Sequence, residues 1–402
     1  NACIFTVHGW VEIDLKNYKA INCVKEQLHD NIFNSNFYKN KEYIFWPKIQ
    51  KLENYSSNFT SAISYYDTEF IYNIIRYPEF TPEQFKDALL FLCDVCKYAK
   101  DNGYYLRTHL WNVTYVRGYP YLIDIRDFEI LKTQDWKIIF LGHFDEKLNN
   151  HCPIHISNFM VNHLDIISKL NNCKNDLDEI KNIINEIKIV ETNNGKWSNY
   201  HETRCNFLYD ASIFSNSLYE QIKNFKGGAH DKTKSLNLFT LIEELKPRTI
   251  IELGCNNGLY TFGCTKFAPT VGIDYDINAI NLANKINKKL KTRATFININ
   301  LLDENVPEYG INGVYDNIYT RFRSELVIAP AIIHHLFDQC NSTDKIICIF
   351  NKFATKYMII EQIPDKVNEN QLILSLKKYN WEIEKIIPSC PNPRKWFLCI
   401  KK

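Results

Sequence analysis

The chain has 402 residues, 45% of them apolar and 23% charged, with a formal net charge of +2 at neutral pH. That length predicts two domains, or one with a large extension, and the apolar fraction suffices for a buried core. The small net charge excludes a global field recruiting nucleic acid or a membrane surface, and no apolar run approaches a membrane span. Thirteen cysteines without a spaced framework, in a chain showing no basic-plus-apolar leader, are expected as reduced thiols in a cytoplasmic protein. At the N-terminus, Phe5 to Ile13 predicts two strands around a turn at His8-Gly9. A helix is predicted from Thr81, with Pro82 in its first turn and a stop at Asn102-Gly103. Phe85, Leu89, Leu92, Cys93 and Cys96 recur on one face of it. The C-x-x-C formed by Cys93 and Cys96 has no second pair nearby, so it is read as core and not as half a zinc site.

Tyr105 to Tyr115, followed by Gly118 to Asp124, predicts a hairpin. The pattern resembles the catalytic loop and metal-binding acid of kinase-like phosphotransferases, with Asn112 and Asp124 at the metal-liganding positions. Arg107 stands where such enzymes carry the catalytic acid, and no glycine-rich phosphate loop is visible, so phosphoryl transfer is not expected. The hairpin is read as keeping the fold, or as a remnant nucleotide or substrate pocket. Two helices are predicted next, Ser157–Leu170 and Lys174–Val190, the second with Leu177, Ile180, Ile183, Ile184 and Ile187 on one face. They divide the chain into an α+β accessory domain (1–155), a helical connector (156–195) and a C-terminal domain (196–402).

The C-terminal part alternates. After helices at Ser217–Phe225 and Thr233–Lys246, closed by Pro247, an apolar run at Thr249–Ile251 leads to Glu252 and then Gly254-Cys-Asn-Asn-Gly258. A helix and a second apolar run, Thr270–Ile273, end on Asp274. Strand, glycine turn, helix and acid-capped strand open a Rossmann-type βαβ unit, in which glycines allow close backbone approach and the acid accepts from ribose hydroxyls. Further alternation is predicted through Ile277–Leu290, Ala294–Ile299, Glu325–Ala329, Tyr357–Ile360 and Gln371–Tyr379. Glu382–Ile387 and Trp396–Lys401 form a terminal hairpin.

The acid two residues before the first glycine, and the G-x-x-x-G spacing, resemble motif I of class I S-adenosylmethionine (SAM) methyltransferases, with Asn256 in place of the middle glycine. Asn tolerates the left-handed conformation that this position requires. The resemblance implies a Rossmann-like sheet of seven strands with a reversed last strand, and SAM as cofactor. Three further stretches are similar to a bacterial family of two-part methyltransferases related to a rhizobial nodulation methyltransferase. They are Tyr77–Phe80, Arg107–Val113 with Gly118–Phe128, and Trp197–Tyr200, alongside Gly254–Gly258, Asp274–Asp276 and Ile328–Leu336. Asn300 stands where that family tends to have Asp after the third strand, which moves the expected adenine partner towards Asp303 or a backbone group.

The cofactor-binding set implied is Glu252, Gly254, Cys255, Asn256, Gly258, Asp274, Asp276, Asp303 and Ala329. Glu252 and Gly254 fall near the methionine end, Asp274 at the ribose. His334 and His335 follow the fourth strand, where a base would deprotonate an acceptor, and Glu361 ends the fifth. No metal set is assigned. The function implied is methyl transfer to an O or N of a small-molecule or glycan-type acceptor. A nucleic-acid or protein acceptor, or an inactive SAM-binding scaffold, is the alternative. Against nucleic acid, Ile328-Ala-Pro-Ala-Ile lacks an N-P-P-Y type motif and there is no basic stripe. Assembly into a homo-oligomer is left open.

Overall fold

The computed structural model describes residues 2–6, 9–14, 19–25, 27–35, 37, 49–53, 55, 62, 64–68, 75, 79–123, 127–130, 135–144, 162–189, 218–224, 232–303, 317–390 and 393–402. Tyr77, Pro78, Asp124 and Trp197 to Tyr200, singled out in the sequence, lie outside them. The chain divides into two compact units. The first takes Asn1–Pro78, Pro82–Val116 and Pro120–Val190; the second takes Glu79–Thr81, Arg117–Tyr119 and Glu191–Lys402.

In the first unit, β1 (Ala2–Thr6), β2 (Gly9–Asp14), β3 (Lys19–Val24), β4 (Ile49–Lys51) and β5 (Ser64–Thr68) form an antiparallel sheet of order β1-β2-β3-β5-β4. Helix α1 (Gln27–Asn34) lies between β3 and β4 in sequence. The long helix α2 (Pro82–Asp101) buries Phe85, Leu89, Leu92, Cys93 and Cys96 on one face, so the two thiols are core. Gly103, at φ +79°, ends that helical segment before β6 (Tyr104–Leu106), which pairs with β9 (Phe128–Ile130).

Strands β7 (Val113–Val116) and β8 (Tyr119–Leu122) form the expected hairpin. Arg117 and Gly118 both have positive φ, 53° and 78°, the signature of a two-residue turn whose twist matches the strands. Asn112, just before β7, donates its side-chain amide to Asp127 at 2.6 Å. Helices α3 (Lys137–Leu141), α4 (His163–Asn172) and α5 (Leu177–Asn185) complete the unit. The apolar stripe of α5 packs on α2, flanked by the ion pairs Lys97–Asp178 and Lys181–Asp94. The two helices read as a connector thus cluster with the first unit.

The second unit opens with α6 (Leu218–Asn224) and α7 (Lys232–Leu245). It continues as β10 (Ile250–Leu253), α8 (Leu259–Cys264), β11 (Thr270–Asp274), α9 (Ile277–Leu290), β12 (Ala294–Asn298), α10 (Ile318–Arg321) and β13 (Ser324–Ala329). It ends as α11 (Ile333–Cys340), α12 (Thr343–Phe353), β14 (Ala354–Gln362), α13 (Glu369–Lys378), β15 (Trp381–Pro388) and β16 (Lys395–Lys401). The sheet order is β12-β11-β10-β13-β14-β16-β15, parallel except for β16, which runs antiparallel to both of its neighbours. This is the Rossmann-like class I methyltransferase sheet, with the last strand inserted in reverse.

All four residues of β10 are buried, as a central parallel strand covered on both faces requires. Phe239, Phe262, Phe296 and Trp396 anchor the core on one side of the sheet. Chain order reverses between β10 and β13, so the carboxyl ends of these strands diverge and open a crevice there. No helix among the described residues is long and apolar enough to cross a membrane.

Candidate functional site

A cleft of about 510 Å³ opens at that switch point. Its first wall is the turn after β10. Gly254 sits at φ +73°, Asn256 at +52° and Gly258 at +87°, so the chain leaves the strand through a run of left-handed positions. A Cβ at Gly254 would lie 2.7 Å from the Ile332 side chain, and one at Gly258 2.5 Å from the Phe296 ring. Only glycine fits at either place. The amides of Gly254 and Cys255 both donate to the Ile273 carbonyl, at 2.8 and 2.9 Å, tying the turn to β11.

Asp274, the last residue of β11, is where turn and second strand meet. Its Oδ2 accepts from the Asn256 amide at 2.7 Å and its Oδ1 from the Asp276 amide at 2.9 Å. A carboxylate has about four acceptor positions, so the group is held in place with capacity to spare towards the cleft it lines. Burial pushes its pKa up to about 6, against the lowering effect of those backbone donors. Glu252, buried at the end of β10, accepts from the Thr261 hydroxyl and also lines the cleft. Cys255 is buried, and burial raises its thiol well above the usual range, so it lines the pocket as an inert group. Asp276 caps α9, accepting from the amides of Asn278 and Ala279 at 2.9 and 3.3 Å.

The opposite wall follows β13. Ala331 adopts φ +53°, a left-handed turn costing an L-residue about 1 kcal/mol or more, and it brings the start of α11 to the cleft. His334 and His335 lie in the first turn of α11 with ring centroids 3.8 Å apart, and both line the cleft. Burial, then His335 and Arg394, depress the His334 pKa to about 4. Its imidazole is therefore neutral at physiological pH. Its Nδ1 is buried without a hydrogen-bond partner.

Not every expected residue reaches this cleft. Ala329 is fully buried at the end of β13, below the cleft-lining residues Pro330 to Ile332. Asp303 lines a second cavity with Tyr319, Arg323 and Asp344, while Asn300 occupies the main cleft and accepts from the Leu302 amide. Glu361 is fully buried and forms an ion pair with Lys234 at 2.6 Å, with both side chains at 0% exposure. The Ser389 hydroxyl donates to Glu361 at 2.8 Å. Glu361 thus lies one layer beneath the surface of the cleft, and Lys234 and Arg394 line it instead. Lys234 reads in sequence as an ordinary helix lysine; its signal is only its position on the buried side of α7. Tyr275, exposed beside Asp274, is a further lining residue that the motif alone does not reveal.

The fit to SAM rests on these contacts. A glycine cradle that any side chain would fill, an anchored acid ending the second strand, and a buried acid at the first match a nucleoside with an amino-acid tail. Among the described residues no cluster of three or more His, Cys, Asp or Glu could hold a metal ion.

No protein-family model matches the chain. It is 25% identical over 159 residues to a tRNA U34 carboxymethyltransferase of Campylobacter lari, a match covering 39% of this chain and 49% of that protein. The chain thus spans about half the length of that curated relative. Among solved structures it is similar to magnesium protoporphyrin IX methyltransferase from Synechocystis PCC 6803 with bound SAM, at 12% identity and a TM-score of 0.34. That likeness covers 49% of this chain and 97% of the other. It is also similar to the bifunctional kinase-methyltransferase WbdD, at 16% identity and a TM-score of 0.33, over 49% of this chain and 46% of that one.

Proposed function

We propose that the second unit is a SAM-dependent methyltransferase acting on an oxygen or nitrogen of a small-molecule or glycan-type acceptor. The observation that carries this reading is the joining of the glycine turn to Asp274 through the Asn256 amide, in a cleft whose other wall presents two histidines. When bound, SAM supplies a methyl group on a positively charged sulfur, with a neutral thioether as leaving group. The protein's tasks are then placement and proton removal.

Asp274 accepts from the ribose hydroxyls, and Glu252 receives the amino-acid end. The turn backbone lies close because Gly254 and Gly258 carry no side chain. His334 takes the acceptor's proton. Its pKa of about 4 makes it a weak base, but it is unprotonated at working pH. A hydroxyl becomes strongly acidic as its oxygen is alkylated, so a weak base suffices when transfer is late in the reaction.

Calorimetric titration of SAM and S-adenosylhomocysteine tests the cofactor, with NAD and ATP as controls. Micromolar SAM binding that is lost in Asp274→Ala supports the proposal. Binding of NAD or ATP in place of SAM sinks it. A nucleic-acid acceptor is the second reading, favoured by the partial match to the Campylobacter lari tRNA enzyme. Methyl incorporation into bulk tRNA by the full chain, abolished in Asp274→Ala, would establish it.

A further inference from the structure

We propose that the acceptor carries an anionic group, a carboxylate or a phosphate, and that Arg394 receives it at the β14 side of the cleft. This rests on the methyltransferase reading above. Arg394 immediately precedes β16, whose first residue, Lys395, pairs in register with Gln362 at the end of β14. The reversed strand therefore carries the guanidinium to the carboxyl end of β14, where it lines the cleft with its side chain 24% exposed.

The charges beneath it are already matched. Lys234 and Glu361 neutralise one another at 2.6 Å with no solvent access, and Ser389 takes a further position on Glu361. Arg394 approaches Glu361 only to 3.9 Å, beyond hydrogen-bond range, so the group of three carries one surplus positive charge. A guanidinium offers five N–H donors in a planar fork, and none finds a hydrogen-bond partner among the described residues. A cation so placed is matched by a ligand anion, held in bidentate fashion. His334 lines the same cleft, so the anion and the reacting atom belong to one molecule of modest size. The acids Glu252 and Asp274 lie on the other wall, suited to a cationic donor. Asp338 of α11 also lines the cleft and pairs with Lys366 at 3.6 Å.

The amino-acid carboxylate of the donor offers the same chemistry, and the test separates the two sources. The full chain is saturated with S-adenosylhomocysteine and titrated calorimetrically with glucuronate, glucose 6-phosphate and uridine monophosphate, with glucose as the neutral control. At least one anionic probe is expected to bind while glucose does not. Arg394→Gln should weaken that binding by about tenfold or more, with Arg394→Lys recovering part of it and S-adenosylhomocysteine affinity unchanged. Loss of S-adenosylhomocysteine affinity in Arg394→Gln would assign the anion to the donor and overturn the proposal. Absence of binding by every anionic probe, or equal binding to Arg394→Gln, would overturn it while leaving the cofactor reading intact. Failure of S-adenosylhomocysteine to bind the unaltered chain would instead remove the reading on which the proposal stands.

Discussion

The two walls of the cleft are built differently. On the β10–β11 wall the polar groups are fixed by short, local bonds: Asn256 and Asp276 amides on Asp274, Thr261 on Glu252, and Asp276 on the start of α9. On the β13–β14 wall the strongest interaction, Lys234 with Glu361, has no solvent access, while the Arg394 guanidinium is left for a ligand. A wall that is fixed before binding suits a constant ligand. A wall with unmatched donors takes its specificity from what binds there.

The largest effect expected from breaking this contrast is at the buried pair. Lys234→Met leaves Glu361 fully buried without its 2.6 Å cationic partner, and should cost about 3–5 kcal/mol in urea unfolding. Adding Glu361→Leu should restore most of that loss. If the single variant is as stable as the parent, the pair is not the foundation of the second wall. On the first wall, Gly258→Val places a branched side chain at a positive φ against Phe296 and should cost about 2–4 kcal/mol. SAM binding should fall with it; a variant that binds normally would show that the turn adjusts.

Titration sharpens the comparison, because the walls respond to pH with opposite sign. Burial raises Asp274 from its usual 3.8 to about 6, so the folded chain holds more protons than the unfolded one in that window and stability falls as pH rises through it. His334 is lowered from 6.5 to about 4, so there the unfolded chain holds more protons and stability rises with pH. Each contribution is on the order of 1–3 kcal/mol, and in the parent they largely offset. Asp274→Asn should therefore leave stability rising between about pH 4 and 6.5, and His334→Gln should leave it falling between about pH 4 and 6. Denaturation midpoints across that range decide it; parallel curves for both variants would refute the assignment.

The smallest effect lies in the two left-handed residues. Asn256→Gly should cost about 1 kcal/mol, because the amide of buried Asn257 loses the Asn256 Oδ1 to which it donates at 2.7 Å, whereas Ala331→Gly should stabilise by about 1 kcal/mol. A loss of stability at Ala331→Gly would mean that the methyl group packs against something the turn needs.

Much of the first wall was legible in the chain because its determinants are close together in sequence. The glycine spacing, Asn256 between the glycines and the acid after Ile273 are read within some twenty residues, and local backbone geometry does the rest. The α2 helix was legible for the same reason, from its proline start and apolar face. Asp276 lines the cleft and has a second role besides. A motif suggests a ligand contact, yet the acid also precedes a helix start, and its side chain caps α9. Glu361 and Lys234, 127 positions apart in the numbering, give no local sign of one another.

The sequence by itself determined the alternating architecture, the terminal hairpin and the glycine turn after β10, because strand periodicity, glycine and proline act over a few residues. Only the tertiary structure decided which charges share a wall. Inserting β16 between β14 and β15 brings Arg394 to the end of β14, and the packing of α7 buries Lys234 against Glu361. These are contacts between residues far apart in the chain. Their partners are chosen by sheet order and burial, which no local pattern encodes.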